Sequence, residues 1–251
     1  QQPLAEIVRQ NLKNHRRLDL VTQLMNNSLF AHCEAADAIR QELTEQLPGM
    51  IDELSEDQIG AYVGWLLNHS AFVVQSDWQT IVDKLRPRWD TEQRIEQRRQ
   101  LGDTLQRIYL QKFDLETRLE FLRARLARTT VEYHLQDVAE LFQTLLAQPW
   151  SQAWEDELWT LVPSVPDHLE PAQQLSVQVD RLRKLVDRLA QGRFDAAWSE
   201  VEDPEKLTRT AYRERRVELM TQARTAVADR LAQELAQQPP PLRDWIQAER
   251  N

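Results

Sequence analysis

The chain has 251 residues, a formal net charge of −9, five glycines and one cysteine. Average usage would supply about 17 glycines at this length, and phosphate-binding loops, tight hairpins and nucleophile elbows depend on glycine. The composition therefore disfavours enzymes built on glycine-rich loops, disulfide frameworks and multi-cysteine metal sites, and it favours long helices with short connections.

The first segment predicts a helical hairpin. A helix with Pro3 in its first turn runs to about Met25, and a second apolar stripe over residues 29–47 stops at Pro48 and Gly49. Cys33 falls on the apolar side of that stripe, where a buried structural cysteine is expected rather than a nucleophile.

Two capping boxes predict the next helix starts. Ser55 with Gln58, and Ser76 with Gln79, match the Ser-x-x-Gln pattern. Each box should open a short helix, and a proline at position 87 should end the second. Gly60 and Gly64, one turn apart in the first of these helices, would allow another helix to approach closely.

The strongest periodic signal predicts one long central helix. It starts near residue 90, runs past residue 128 and can kink at residues 129–130 before a stop at Pro149. Its stripe alternates spacings of four and three through Leu101, Leu105, Ile108, Lys112, Leu115, Leu119, Leu122 and Leu126. Lys112, the charged member, would either fix register or partner, or reach out of the stripe to solvent.

Two further stripes predict a C-terminal helical hairpin. The first should end near Gly192, a candidate C-cap, and the second at the three prolines 239–241. Their members are Leu175, Val179, Leu182, Val186 and Leu189 in the first, and Val217, Met220, Ala223, Val227, Leu231 and Leu235 in the second.

These elements predict an all-α protein, a bundle of about 8–10 helices with long antiparallel, coiled-coil-like helices in its central and C-terminal parts. The predicted organisation is a short-helix sub-bundle over 1–89, a central helix with a Trp-rich connection over 90–161, a Pro-rich linker over 162–172 and a helical hairpin with a Pro-rich tail over 173–251.

Tryptophans are the first candidates for binding a protein partner, since exposed tryptophan is enriched at interface hot spots. Trp150, Trp154 and Trp159 cluster around a proline-bounded segment, and Trp245 follows the triple proline. The alternative is that the first three fill the junction between two helical sub-bundles.

Basic residues are candidates for an anionic partner. The members of this set are Arg118, Arg123, Arg125, Arg128, Arg181, Lys184 and Arg188. Acidic residues are interspersed among them, so solvated faces with ion pairs are the alternative. None of the segments 1–90, 91–150 and 151–251 has more basic than acidic residues, which disfavours nucleic-acid binding without ruling it out.

Catalytic and metal-binding patterns are weak. His134, Asp137 and Glu140 share one helix face, but such a face is usually solvated. No nucleotide-binding or nucleophile motif occurs, so we expect no enzyme, no cofactor and no metal.

The function expected from the sequence is a helical protein–protein interaction module: a scaffold, adaptor or regulatory subunit, or a helical domain of a larger assembly. It would bind a protein partner or self-associate. The alternatives are a nucleic-acid-associated subunit, an all-α enzyme with an inter-helical pocket, and an extracytoplasmic domain of a membrane protein. We expect no membrane span and a cytoplasmic location, or a periplasmic one if a signal peptide was removed before Gln1.

Overall fold

The computed structural model describes residues 49–68 and 75–237, which contain eight α-helices, two short 3₁₀ helices and no strand. The predicted all-α class is confirmed. The predicted N-terminal hairpin, Cys33, Trp245 and the side chain of Leu235 lie outside the described part. Backbone contacts divide the chain between Arg125 and Leu126 into two units. This division coincides with none of the predicted domain boundaries, which stay predictions.

Among the described residues, the first unit contains one 3₁₀ helix and four α-helices, the last of which extends two residues past the division. They are Ile51–Glu53, α1 (Glu56–Asn68), α2 (Gln75–Thr91), α3 (Ile95–Lys112) and α4 (Leu115–Ala127). Helix α3 packs against both α1 and α2. The core contains the fully buried side chains of Tyr62, Trp78 and Phe121, and the Tyr109 and Phe121 rings stack with centroids 4.6 Å apart.

The first capping box precedes the start of α1 at Glu56, as predicted, and one half of the box forms. The Ser55 N–H donates to the Gln58 Oε1 atom at 3.1 Å, which is the reach-back half of the box. At the second box the prediction is wrong: α2 already begins at Gln75, and the Gln79 amide donates forward to Asp83 at 2.8 Å. Gly49 is also helical, although a stop was predicted there.

The prediction that Pro87 ends α2 is wrong, because the helix continues to Thr91. Proline removes one helical hydrogen bond, but tertiary contacts hold the turn that follows. The Arg88 guanidinium donates to the Ile51 and Leu54 carbonyls and to the Glu56 carboxylate at 3.2, 3.1 and 2.7 Å.

The prediction of a single long central helix is also wrong, because the chain leaves the helical conformation between α3 and α4. Phe113 is extended (φ −120°, ψ 158°), and the Thr117 N–H donates to Asp114 Oδ1 at 2.9 Å. Asp114 therefore acts as the N-cap of α4, and these hydrogen bonds lower the pKa of its carboxyl group. The predicted kink at residues 129–130 falls in the connection between α4 and the next helix.

The second unit contains four α-helices and one 3₁₀ helix. They are α5 (His134–Leu146), α6 (Gln152–Leu161), α7 (Pro171–Ser199), the 3₁₀ helix Pro204–Lys206 and α8 (Arg209–Gln237). Helix α5 packs on α6, and α7 packs on α8. Residues 200–208 are the short connection between α7 and α8, so these two 29-residue helices form the predicted antiparallel hairpin.

Two details of this hairpin differ from the prediction. Gly192 lies inside α7 rather than at its end, and a Cβ atom built there would lie 2.9 Å from the Trp150 Cβ. The glycine thus permits a close approach instead of ending the helix. On α8, Val217 is 66% exposed, and the buried position is taken by Leu219.

Candidate interaction site

The clustered tryptophans are packed inside the second unit. Trp154 and Trp159 are 8% and 4% exposed. The Trp150 indole N–H donates to the Glu155 carboxylate. The Arg193 guanidinium pairs with the same carboxylate at 2.7 Å, and it lies 5.1 Å from the centre of the Trp150 ring. Trp154 and Trp159 are thus buried within their own unit, while Trp150 is half-buried beside Glu155 and Arg193, and both roles predicted for the three tryptophans stay predictions.

Two of the predicted anion-binding residues are helix caps. Arg181 is buried and donates to the carbonyls of Leu161 and Ser164 at 2.9 and 2.7 Å. Arg188 donates to the carbonyls of Leu146 and Gln148, both at 2.9 Å. Since the last carbonyls of a helix lack intrahelical donors, α7 uses these guanidinium groups to satisfy the C-terminal ends of α6 and α5.

The other basic candidates also have partners. Arg125 is 5% exposed, pairs with Asp103 at 2.6 Å and donates to Gln106, while Lys184 pairs with Asp180 at 2.7 Å. Three further members form interactions of their own: Arg118, Arg123 and Arg128. The structure therefore brings no common basic face together from this set in either unit.

Lys112 is the last residue of α3 and does not occupy a core position. Its ammonium group lies 5.3 Å from the centre of the Trp78 ring, a cation–π contact. Its place at the helix C-terminus is electrostatically favourable. The break at Phe113 removes the continuous stripe in which the residue would have set register.

The weak metal-site candidate, formed by His134, Asp137 and Glu140, is not grouped as a metal site. His134 Nε2 is 3.0 Å from the Ser164 Oγ, and Asp137 is buried. Within residues 49–68 and 75–237, no three His, Cys, Asp or Glu side chains are grouped so as to hold a metal ion.

Helix α3 packs on α1, and the two glycines whose spacing predicted a close helix approach contact side chains of α3. The Arg107 guanidinium donates to the Gly60 carbonyl at 3.0 Å, and a Cβ atom at Gly64 would lie 3.5 Å from its Nη1. A polar cleft of about 330 Å³ opens beside them between α1 and α3, with Glu56 and Thr104 in its lining. A hydrogen bond from Arg88 lowers the pKa of Glu56, so this carboxylate already serves the fold.

A groove with both apolar and polar lining, which sequence reasoning missed, runs between α7 and α8. Its volume is about 340 Å³. The lining side chains are Val186, Asp187, Ala190 and Gln191 of α7 and Met220, Arg224, Val227, Ala228 and Leu231 of α8. Six of the nine lining residues are apolar, and Asp187, Gln191 and Arg224 supply a polar share of the surface that is almost as large.

Signals for this groove are present in the sequence. Val186, Met220 and Leu231 belong to the predicted stripes, but they are half-buried where a stripe residue should be covered. Ala190 and Ala228 lie beside them, and their small side chains leave the space open. Alanines next to a stripe could have indicated a depression, although its place depends on how the two helices pair.

Comparisons with known proteins identify no relative from which a function could be transferred. No family model and no curated protein matches the chain. A solved structure titled "Computational Design of Self-Assembling Cyclic Protein Homooligomers" matches 94% of this chain and 98% of that chain at 7% identity, with a TM-score of 0.21. A likeness at that score carries no argument.

None of the described helices is both long enough and apolar enough to cross a membrane. The expected cytoplasmic location stays a prediction.

Proposed function

We propose that this protein is a non-enzymatic interaction module and that the α7/α8 groove receives a helical or extended segment of a protein partner. The observation that carries the proposal is the groove itself, whose lining combines six apolar side chains with Asp187, Gln191 and Arg224. Amphipathic helices bind grooves of this kind through apolar anchors, and charged groups at the edge set their orientation.

The exposure of α8 supports the same proposal. Of the α8 side chains that the structure describes, three are buried, namely Leu219, Ala223 and Val227. A helix of 29 residues covered along one narrow stripe leaves a long surface available for another chain.

The nucleic-acid alternative is less well supported by these contacts. Arg125, Arg181 and Arg188 hydrogen-bond within their own units, whereas phosphate binding needs cationic groups that face solvent together. The proposal assigns no catalytic residue and no cofactor.

A pair of alanine substitutions on α8 tests the proposal. Ala228 lines the groove, while Ala232 is exposed on the same helix outside it. Ala228→Glu should abolish self-association or partner binding because it buries a charge among the apolar side chains of the groove, and Ala232→Glu should leave it intact. Light scattering measures self-association, and affinity capture with the full chain compares the bound proteins, with circular dichroism confirming that both variants fold.

Two results would contradict the proposal. One is a full chain that neither self-associates nor retains any protein. The other is an association that both variants weaken equally, since that would place the contact away from the groove.

A further inference from the structure

We infer that the partner segment is acidic and that its carboxylates bind an arginine stripe on α8, formed by Arg209, Arg213, Arg216 and Arg224. The inference rests on the proposed function, because Arg224 also lines the α7/α8 groove. It gives the chemistry of the partner: a segment with apolar anchors for the groove and, beside them, aspartate or glutamate side chains for the stripe.

The four arginines lie on one face of α8. Successive residues of an α-helix are rotated by about 100°, so the spacings of four, three and eight residues place them within an arc of roughly 80°. All four are exposed, and no carboxylate among the described residues forms an ion pair with them. Met220, which lines the groove, lies in the same arc. The stripe and the groove are therefore one continuous surface.

The charges of this part of α8 are separated rather than paired across the stripe. Glu214 and Glu218 lie about 120–160° from the centre of the stripe. The stripe is unfavourable for the helix itself, because Arg209 and Arg213 are like charges four residues apart and stand at the positive end of the helix dipole. The first turn contains no acidic residue. A bound anionic segment would offset both effects.

Three aromatic rings hold Arg216 in place. Its guanidinium carbon lies 5.5 Å from the centre of the Phe194 ring, 5.7 Å from that of Trp198 and 5.8 Å from that of Tyr212. The Trp198 ring of α7 and the Tyr212 ring of α8 meet edge to face with centroids 5.0 Å apart. Arg216 donates to no acceptor among the described residues, so its N–H groups are available for a carboxylate. Ordering the side chain in advance lowers the entropic cost of binding.

An acidic protein segment fits this surface better than nucleic acid does. The described lining of the groove contains aliphatic but no aromatic side chains, so it suits apolar peptide anchors rather than stacked bases. Exposed carboxylates flank the stripe, with Glu205 in the connection before Arg209 and Asp187 in the groove lining. They would repel the continuous charge of a phosphate backbone, whereas a peptide can place neutral side chains opposite them.

Fluorescence anisotropy of the full chain with two labelled synthetic peptides tests the inference. Each peptide has about 22 residues, which cover the roughly 33 Å from Arg209 to Leu231 even as a helix. One half of each has leucines at helical spacing, and the other half carries glutamates in the first peptide and glutamines in the second. The glutamate peptide should bind at least about tenfold more tightly at low salt, and added salt should reduce the difference.

Substitutions inside and outside the stripe make the test specific. Arg213→Glu should weaken binding of the glutamate peptide at least about tenfold and leave the glutamine peptide unaffected. Arg215→Glu is the matched control, because Arg215 is also exposed but pairs with Glu218 outside the stripe, and it should change the affinity less than about threefold. Arg216→Gln should weaken the glutamate peptide about tenfold. Circular dichroism confirms that each variant folds.

Four results would overturn the inference. Equal affinities for the two peptides would mean that the surface does not select carboxylates. Equal weakening by Arg213→Glu and Arg215→Glu would mean that the peptide responds to overall charge. A single-stranded RNA of the same charge that binds more tightly, and loses affinity in Arg213→Glu, would assign the stripe to nucleic acid. Self-association that Arg213→Glu abolishes in light scattering would assign it to a second copy.

The variants Ala228→Glu and Ala232→Glu separate this inference from the proposed function, because they add the same charge inside and outside the groove. If the glutamate peptide is selected through Arg213 but both alanine variants bind it equally, the groove fails and the arginine stripe stands. If association of the full chain is lost in Ala228→Glu and kept in Arg213→Glu, while the two peptides bind equally, the inference fails and the function stands.

Discussion

Three arginines of α7 connect it to the other helices of the second unit. Arg181 and Arg188 satisfy carbonyls at the ends of α6 and α5, and Arg193 pairs with the fully buried Glu155. Arginine suits this use because its planar group offers five donors in a fixed geometry. These arginines resemble an anion-binding face in the sequence, but in the structure they connect helices.

Arg181→Met should lower the free energy of unfolding by about 2–3 kcal/mol, because it removes the charged donor from the buried Leu161 carbonyl and the part-buried Ser164 carbonyl. Lys184→Met is the matched control, since Lys184 is half-exposed on the same helix and its surface pair contributes at most about 1 kcal/mol. Urea unfolding followed by circular dichroism measures both. Equal effects of the two substitutions would contradict the capping role.

Gly192→Ala should destabilise the protein by about 1–2 kcal/mol, since the added methyl group would meet the Trp150 Cβ at 2.9 Å. Gly64→Ala is the contrasting case, because its methyl group would lie 3.5 Å from the end of a flexible arginine. Removing a helical glycine there should stabilise the protein by about 0.5–1 kcal/mol. Thermal unfolding of the two variants tests both predictions. If both substitutions stabilised the protein, the close approach of Trp150 to Gly192 would not require a glycine.

At the scale of elements, the break between α3 and α4 depends on one cap. The apolar spacing continues across Phe113 and Asp114 without a change of phase, so periodicity alone predicts one helix. The signal for two helices is Asp114 itself, an N-cap residue type with Glu116 in the turn that follows. A capped start competes with helix continuation, and the structure shows that the cap forms.

The Asp114 cap predicts a pH-dependent stability. Its pKa is lower in the folded chain than its ordinary value of 3.8, so the ionised carboxylate stabilises the fold at pH values above that. Relative to Asp114→Asn, the wild type should gain stability that is constant above about pH 5 and disappears as the pH falls through the lowered pKa. Denaturant midpoints between pH 2 and pH 7 test this, and a difference that does not shrink as the pH falls from 5 towards 2 would contradict it.

The periodicity of apolar residues predicted the features that depend only on spacing along one helix, namely which side chains are buried and which helices pair. Leu101, Leu105 and Ile108 are buried as their stripe required, and α7 and α8 pair as a hairpin. It could not predict the groove, because the space between Ala190 and Ala228 exists only once two helices are paired in a particular register. Nor could it identify Arg181 as a cap, since that role depends on where α6 ends.

At the scale of the whole molecule, charge and its placement bear on the nucleic-acid alternative. The chain has 31 basic and 40 acidic side chains. Each unit uses part of its basic set internally: Arg125 pairs with Asp103 in the first, and Arg181 and Arg188 cap helices in the second. Electrostatic attraction of a polyanion needs an excess of cationic surface, which neither observation supplies.

We therefore expect the full chain to bind neither duplex DNA nor RNA in a gel-shift assay, even at low salt. Lowering the salt strengthens any contact that releases counterions from phosphates, so it is the condition most favourable to binding. A shift that weakens as salt is added would contradict this expectation. If Lys184→Glu then reduced the shift while leaving the chain folded, the exposed side of α7 would be the surface responsible, and the interaction module would have an anionic partner instead of a protein segment.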